Sequence, residues 1–273
     1  MKMFGVDLSR WQGNFNFSKA ISEGVQFAII KGGGGDAGLY VDSKFTRNYE
    51  EAKKKGLPVG VYWFSKALTV ADAEREADYF FTKVLQGRQF ELPVYIDVEH
   101  KRQLAVGKRR LTDIVKAWCS HLEGLGFWVG VYSSQAFFNA YMYDAELTRY
   151  AHWVACWASS CSYPYKDCFG MWQFGGDTNK IRTNRVAGVV CDQNYMLFDY
   201  PSAIKAAGLN GFTKPDQVGE PEPEKPVGKT VEELAREVIA GLWGAGRDRR
   251  DRLTKAGYDY RAVQAKVNAI LSK

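Results

Sequence analysis

Two carboxylates stand two positions apart at the end of the apolar run Pro93-Val94-Tyr95-Ile96-Asp97-Val98-Glu99-His100, which reads as a strand. In a strand, residues i and i+2 face the same way, so the Cα atoms of Asp97 and Glu99 would lie roughly 6.5–7 Å apart. At that spacing one charge raises the pKa of the other, and the pair can hold a protonated acid beside an anion. A pair of that kind is equipped to cleave a glycosidic bond. The same two side chains would also serve a Mg²⁺ site or a solvated pair on an exposed edge, and the motif by itself does not separate these readings.

Something must hold the carboxylates in place, and the rest of the chain supplies it. Strand patterns fall at Met3–Leu8, Gln26–Lys31, Pro58–Phe64, Pro93–Val98, Trp128–Ser133, His152–Ala158, Phe169–Phe174 and Gly188–Gln193, eight in all. Helical periodicity separates the early ones, at Ser43–Lys55, Val70–Val84 and Thr112–Leu122, and alternating strands and helices imply a parallel sheet. The connections 159–168 and 175–187 are rich in Ser, Gly, Asn and Tyr and are too broken for a good helix. The expected architecture is α/β, a TIM-like (β/α) barrel of eight strands with reduced helices in its second half. Active sites of such barrels lie at the C-terminal strand ends. Asp7 would end the first strand, Asp97 and Glu99 the fourth and Asp192 the eighth, so four carboxyl groups would converge on one mouth.

Composition narrows the alternatives. With 273 residues, 46% hydrophobic and 14% aromatic, the chain can bury a sizeable core, and a net charge of +6 favours anionic polymers without choosing among nucleic acid and cell wall. No run of about 18 apolar residues occurs, so membrane insertion is not expected, and no charged-then-apolar export leader is visible at the N-terminus. The five cysteines, Cys119, Cys156, Cys161, Cys168 and Cys191, form no C-x-x-C pair and have no histidine at zinc-ligand spacing, so neither a metal nor a cofactor is expected. Cys156 and Cys191 read as small core residues, and a reducing cytosol would keep Cys161 and Cys168 as thiols. The run Gly32-Gly33-Gly34-Gly35 lacks the Lys-Ser/Thr that closes a phosphate loop and reads as a flexible strand-to-helix turn. No Ser-His-Asp or Cys-His arrangement is supported.

Taken in order and spacing, Gly5-Val6-Asp7-Leu8-Ser9-Arg10-Trp11-Gln12-Gly13, Gly60-Val61-Tyr62-Trp63-Phe64, Tyr95-Ile96-Asp97-Val98-Glu99, Gly130-Val131-Tyr132-Ser133, Met171-Trp172-Gln173-Phe174 and Val190-Cys191-Asp192-Gln193-Asn194 resemble the lysozymes of glycoside hydrolase family 25 over about residues 4–200. The resemblance implies a muramidase that cuts the β-1,4 bond after N-acetylmuramic acid in bacterial peptidoglycan. Its essential carboxylates would be Asp7, Asp97, Glu99 and Asp192, with Glu99 as general acid and Asp97 orienting the substrate's own acetamido group. Tyr62, Tyr132 and Trp157, with Trp63 as a further candidate, would form the sugar platform, and Gln173 and Lys31 would add polar contacts. After Lys31 the family usually carries a small residue, Thr, and Glu or Gln before Gly, so this chain departs from it at Gly32–Gly35.

A shift of composition at Lys214–Pro226, with repeated Pro and Glu, marks an extended linker. The expected division is a barrel at 1–210, a linker at 211–229 and an all-α three-helix bundle at 230–273. Thr230-Val231-Glu232-Glu233 reads as an N-cap with a capping-box Glu, and further helices fit Asp248–Ala256 and Tyr260–Leu271. Ala235-Arg236-Glu237-Val238, Gly241-Leu242-Trp243-Gly244-Ala245-Gly246, Arg249, Arg252-Leu253, Ala256-Gly257-Tyr258 and Val263-Gln264 resemble the short cell-wall-binding repeat of some phage lysins. That implies peptidoglycan contacts near Trp243, Gly244 and Arg249. Arg side chains at 247–252 alternate with Asp248 and Asp251, which reads as a solvated helix face and not as a nucleic-acid site. The whole fits an endolysin made in the host bacterial cytoplasm and released to the wall, or a bacterial autolysin of the same chemistry. A non-catalytic wall-binding protein is the rival of another class.

Overall fold

The computed structural model describes residues 2–35, 38–214, 229–244 and 246–271, in two compact units that divide after Pro215. Most of the expected linker, from 215 to 228, lies outside the described residues.

The first unit alternates strands and helices: β1 Met3–Leu8, α1 Phe17–Ser22, β2 Phe27–Gly34, β3 Tyr40–Val41, α2 Phe45–Lys54, β4 Val59–Phe64, α3 Val70–Phe80, β5 Val94–Asp97, α4 Lys108–Glu123, β6 Val129–Ser134, α5 Gln135–Tyr141, β7 Ala151–Ala155, β8 Phe169–Gly175, β9 Arg185–Val186, β10 Val189–Val190, β11 Asp192–Met196 and α6 Tyr200–Ala207. Eight of these strands close a barrel in the order β1-β2-β4-β5-β6-β7-β8-β11, and β11 returns to pair with β1. Period-two alternation sorts their side chains. Val94, Ile96 and Val98 face the helices, whereas Tyr95 turns inward to pack with Phe27, Ile29, Tyr132, Trp153 and Met171.

Two expectations are corrected here. The last strand is not parallel to the others: β11 runs antiparallel to both β8 and β1 and begins, not ends, with Asp192. The physical reason is the connection. A parallel return needs a long crossover, usually a helix, but residues 176–191 hold only the small hairpin β9–β10, turned at Ala187 and Gly188 with φ of 53° and 84°. Reversal still leaves Asp192 at the mouth, in register with Asp7.

The glycine run is likewise no flexible turn. Gly32–Gly34 continue β2, and at Gly33 a Cβ would overlap the Tyr40 carbonyl and the Trp63 ring. Glycine is therefore required by close packing where β3 pairs antiparallel with the end of β2.

The second unit holds α7 Val231–Ile239, α8 Gly246–Lys255 and α9 Tyr260–Leu271. Thr230 caps α7 by accepting from the Glu233 N–H, while the Glu233 carboxylate accepts from the Thr230 N–H. Leu234, Ala235, Val238, Leu253, Val263 and Val267 make its small core.

Candidate active site

Asp7 ends β1 on its inward face and is 7% exposed. Its Oδ2 accepts from Asn194 Nδ2 at 2.8 Å and from Gln173 Nε2 at 3.1 Å. Both amides are oriented from behind. Trp153 Nε1 donates to Asn194 Oδ1 at 2.8 Å, and Trp157 Nε1 and Tyr132 Oη donate to Gln173 Oε1 at 3.0 Å each. An indole N–H can only donate, so each amide must turn its NH₂ towards Asp7. Those two bonds favour the ionised carboxylate, but burial acts more strongly and Glu99 adds repulsion, so Asp7 is raised to about 6.

Asp97 closes β5 on the same face, is 3% exposed, and has an Oδ1 with no hydrogen-bond partner among the described residues. Burial holds it well above the ordinary carboxylate range, Glu99 pushes it further up, and Lys31 opposes both. Glu99 lies two residues past the strand, where the backbone is kept extended by the Val98 N–H donating to the Tyr132 carbonyl. Its side chain is reachable by solvent, yet the concave walls withhold hydration and raise its carboxyl, with Lys31 pulling the other way. Lys31 itself stands over the Phe64 ring at 4.5 Å and is lowered by burial against the attraction of Asp97, Asp42 and Glu99.

Asp192 completes the group. Burial first, then the charges of Asp7, Glu99 and Asp177, raise it to about 8. Gly176 makes room for it: a Cβ there would overlap both the Asp192 carboxylate and the Trp157 ring. Four carboxylates from three strands thus share one mouth with the half-buried Lys31 among them. Such a site can donate a proton to a leaving oxygen and stabilise a developing positive charge. Among the described residues, no group of three or more His, Cys, Asp or Glu is arranged to hold a metal ion.

The other expected site residues divide. Tyr62 lines the interior against Trp153 at 5.8 Å between centroids, and Trp157 is 39% exposed at the rim. Tyr132 and Gln173 are buried and committed to the bonds that orient Asp7. Trp63 is corrected: it points outward into the barrel–helix core, fully buried, and donates to Glu76 Oε2 at 3.0 Å. Strand alternation beside inward Tyr62 was the signal that could have excluded it. Trp153 and Asn194 escaped the sequence reading, because their roles arise from a side-chain bond between β7 and β11, two strands that β8 separates. Asp42, buried and accepting from the Arg10 N–H at 3.2 Å, escaped it too. The five cysteines are free thiols, and Cys156 lies just past β7, half-buried, not within a core strand.

In the second unit, Lys229, Glu237, Leu242, Trp243, Arg252 and Ala256 line an open pocket of about 580 Å³. Trp243 is half-buried, edge-on to Tyr258, and donates to Glu237 Oε2 at 2.9 Å. Gly244 and Arg249 do not line the pocket. Arg249 ties the bundle together instead, donating to the Gly244 carbonyl and to Gln264 Oε1 at 3.1 Å each.

The sequence matches the model of "Glycosyl hydrolases family 25" over residues 6–182 and that of the "CW_7 repeat" over 232–271. Lysozyme M1 of Streptomyces globisporus is 26% identical over 220 residues, 76% of this chain and 71% of that protein. The lysozyme of Streptococcus phage Cp-7 is 26% identical over 219 residues, covering 78% of this chain but only 56% of its own length. The bacterial lysozyme of Streptomyces coelicolor superposes with a TM-score of 0.63 at 23% identity over 75% of this chain and 96% of that one, which shows the fold.

Proposed function

The chain belongs to glycosyl hydrolase family 25, and from that premise we propose that it is a muramidase that hydrolyses the β-1,4 bond between N-acetylmuramic acid and N-acetylglucosamine in bacterial peptidoglycan. The observation that carries the reading is the convergence of Asp7, Asp97, Glu99 and Asp192 at one barrel mouth, each raised above its ordinary value.

In this reading Glu99 is the general acid and Asp97 steadies the acetamido group that attacks the anomeric carbon. In the free site burial favours the proton on Asp97, while Glu99 is the more accessible of the pair. Bound substrate reverses that balance. A sugar covering Glu99 removes its water and raises it further, while an acetamido N–H donated to Asp97 stabilises the anion there. The pair then holds its proton on the oxygen facing the leaving group. Asp7, pinned by two amides, and Asp192 contribute negative charge near the oxocarbenium-like centre.

The repeat at 232–271 would hold the enzyme on the wall, with the pocket around Trp243 as the contact surface. The repeat, the Pro/Glu segment and the barrel together suit an endolysin that acts after release from the cytoplasm of a phage-infected host. Mass spectrometry of digested peptidoglycan tests the activity. New reducing-end muramic acid is expected, whereas new reducing-end glucosamine or freed stem peptides would contradict the reading.

A further inference from the structure

The rim of the barrel carries a large aromatic side chain that the fold leaves almost wholly uncovered. Trp11 is 77% exposed, more than any other large hydrophobic side chain among the described residues. It does not hang from a loose loop. Ser9 Oγ accepts from the Trp11 N–H, the Ser9 N–H donates to Gln12 Oε1 at 2.9 Å, and the Arg10 N–H donates to buried Asp42. Gln12 Nε2 also reaches the Val190 carbonyl at 3.5 Å, two residues before Asp192. The turn at 9–12 is therefore fixed between the ends of β1 and β11, the two strands that deliver Asp7 and Asp192. The Arg10 guanidinium stands over the Trp11 ring, 4.9 Å from its centroid, and makes no ion pair among the described residues.

An indole carried on a fixed backbone and open to water is a platform for the C–H face of a sugar, since little backbone entropy remains to be lost when the sugar arrives. A guanidinium stacked on that ring keeps its N–H edge for a planar carboxylate. We propose that Arg10 and Trp11 form an outlying saccharide subsite. Trp11 stacks on a sugar beyond the pair at the cleaved bond, and Arg10 pairs with a free carboxylate of the stem peptide that the neighbouring muramic acid carries. The proposal rests on the muramidase reading, and adds that the enzyme recognises a glycan longer than the disaccharide it splits.

The test uses the full chain and soluble muropeptide oligomers of increasing length, with new reducing-end muramic acid as readout. Trp11→Ala should lower kcat/KM about tenfold on long oligomers, through KM more than kcat, and the loss should shrink towards twofold on the shortest oligomer cleaved. Trp11→Phe should recover most of the loss. Arg10→Gln should weaken hydrolysis of oligomers with free carboxylates and spare those whose carboxylates are amidated. Equal loss at every length, with unchanged melting temperature, would overturn the subsite, as would no loss at any length. If the wild type releases no reducing-end muramic acid at all, the muramidase reading fails first. If the wild type cleaves and Trp11→Ala matches it throughout, only the subsite fails.

Discussion

Both units carry clustered carboxylates, and the two clusters behave oppositely. At the barrel mouth, Asp7, Asp97, Glu99 and Asp192 are all pushed up, burial being the first cause in each. In the helical unit, Glu232, Glu233 and Glu237 are all pushed down, by bonds from Lys266, from the Thr230 N–H and from Lys229 respectively. A carboxylate paired on the surface caps a helix or joins two of them. One that is desolvated among like charges carries a standing cost in stability, which a fold retains where chemistry needs it. The difference separates the barrel mouth from the surface-paired carboxylates, among them Asp72 and Glu146 of the barrel unit, which are also pushed down, without reference to any motif.

Substitutions at the mouth should therefore damage turnover far more than folding. Asp97→Asn is expected to lower kcat by about 10²–10⁴-fold on soluble oligomers, because the amide cannot become the anion beside the acetamido group. Thermal unfolding should show that the variant is folded, and unchanged kinetics would make Asp97 merely structural.

Removal of the helical unit should have the opposite signature. A chain stopped after Phe212 is expected to keep its kcat on soluble oligomers and to lose activity on intact walls, towards the low end of the 10²–10⁴-fold that tethering can supply. Equal activity on both substrates would mean that the repeat is no anchor, and equal loss on both would assign it a folding role.

A smaller effect probes how the mouth is held. Gln173→Leu keeps the volume but removes the donor to Asp7 Oδ2 and leaves Trp157 and Tyr132 without their acceptor. Activity should fall about tenfold, and the pH optimum should shift upward as Asp7 loses a bond that favours its ionised form. A pH profile identical to that of the wild type would show that the amide does not set the Asp7 charge.

The smallest expected effect is on stability. Asp192 has a folded value of about 8 against an ordinary 3.8, so the folded state binds its proton more tightly than the unfolded state does. Its contribution is therefore fully present below about pH 4 and is lost as pH rises through about 8. Asn at this position does not ionise. Asp192→Asn should match the wild type near pH 4 and exceed its melting temperature above pH 8 by on the order of 2–6 °C. A gap that narrows with rising pH would contradict the placement of Asp192 in the low-dielectric mouth.

Local pattern made much of this legible. The apolar run before Asp97 and the helical spacing of Val70–Val84, of which Val70–Phe80 is the α-helix, each rest on neighbours in sequence, and so does the Thr230 capping box. What escaped was set by distant partners. The direction of β11 follows from the missing helix in 176–191, whereas the alternation of strands and helices earlier in the chain points to a parallel strand. The Gly32–Gly35 run looked flexible because the Tyr40 carbonyl, the Trp63 ring and Glu76 that crowd it come from other elements. The orientation of Asp7 depends on Trp153, Trp157, Gln173 and Asn194, none of which neighbours it in sequence.

The proposed hydrolysis depends most directly on Glu99, the carboxyl proposed to deliver the proton. Initial rates of Glu99→Gln on a soluble muropeptide oligomer, measured beside binding of the same protein to purified walls, put that to the test. Glutamine keeps the size and removes the transferable proton, so hydrolysis is expected to fall by about 10²–10⁴-fold while wall binding stays at the wild-type level. Wild-type turnover in a folded, wall-binding Glu99→Gln protein would contradict the assignment of Glu99 as the acid.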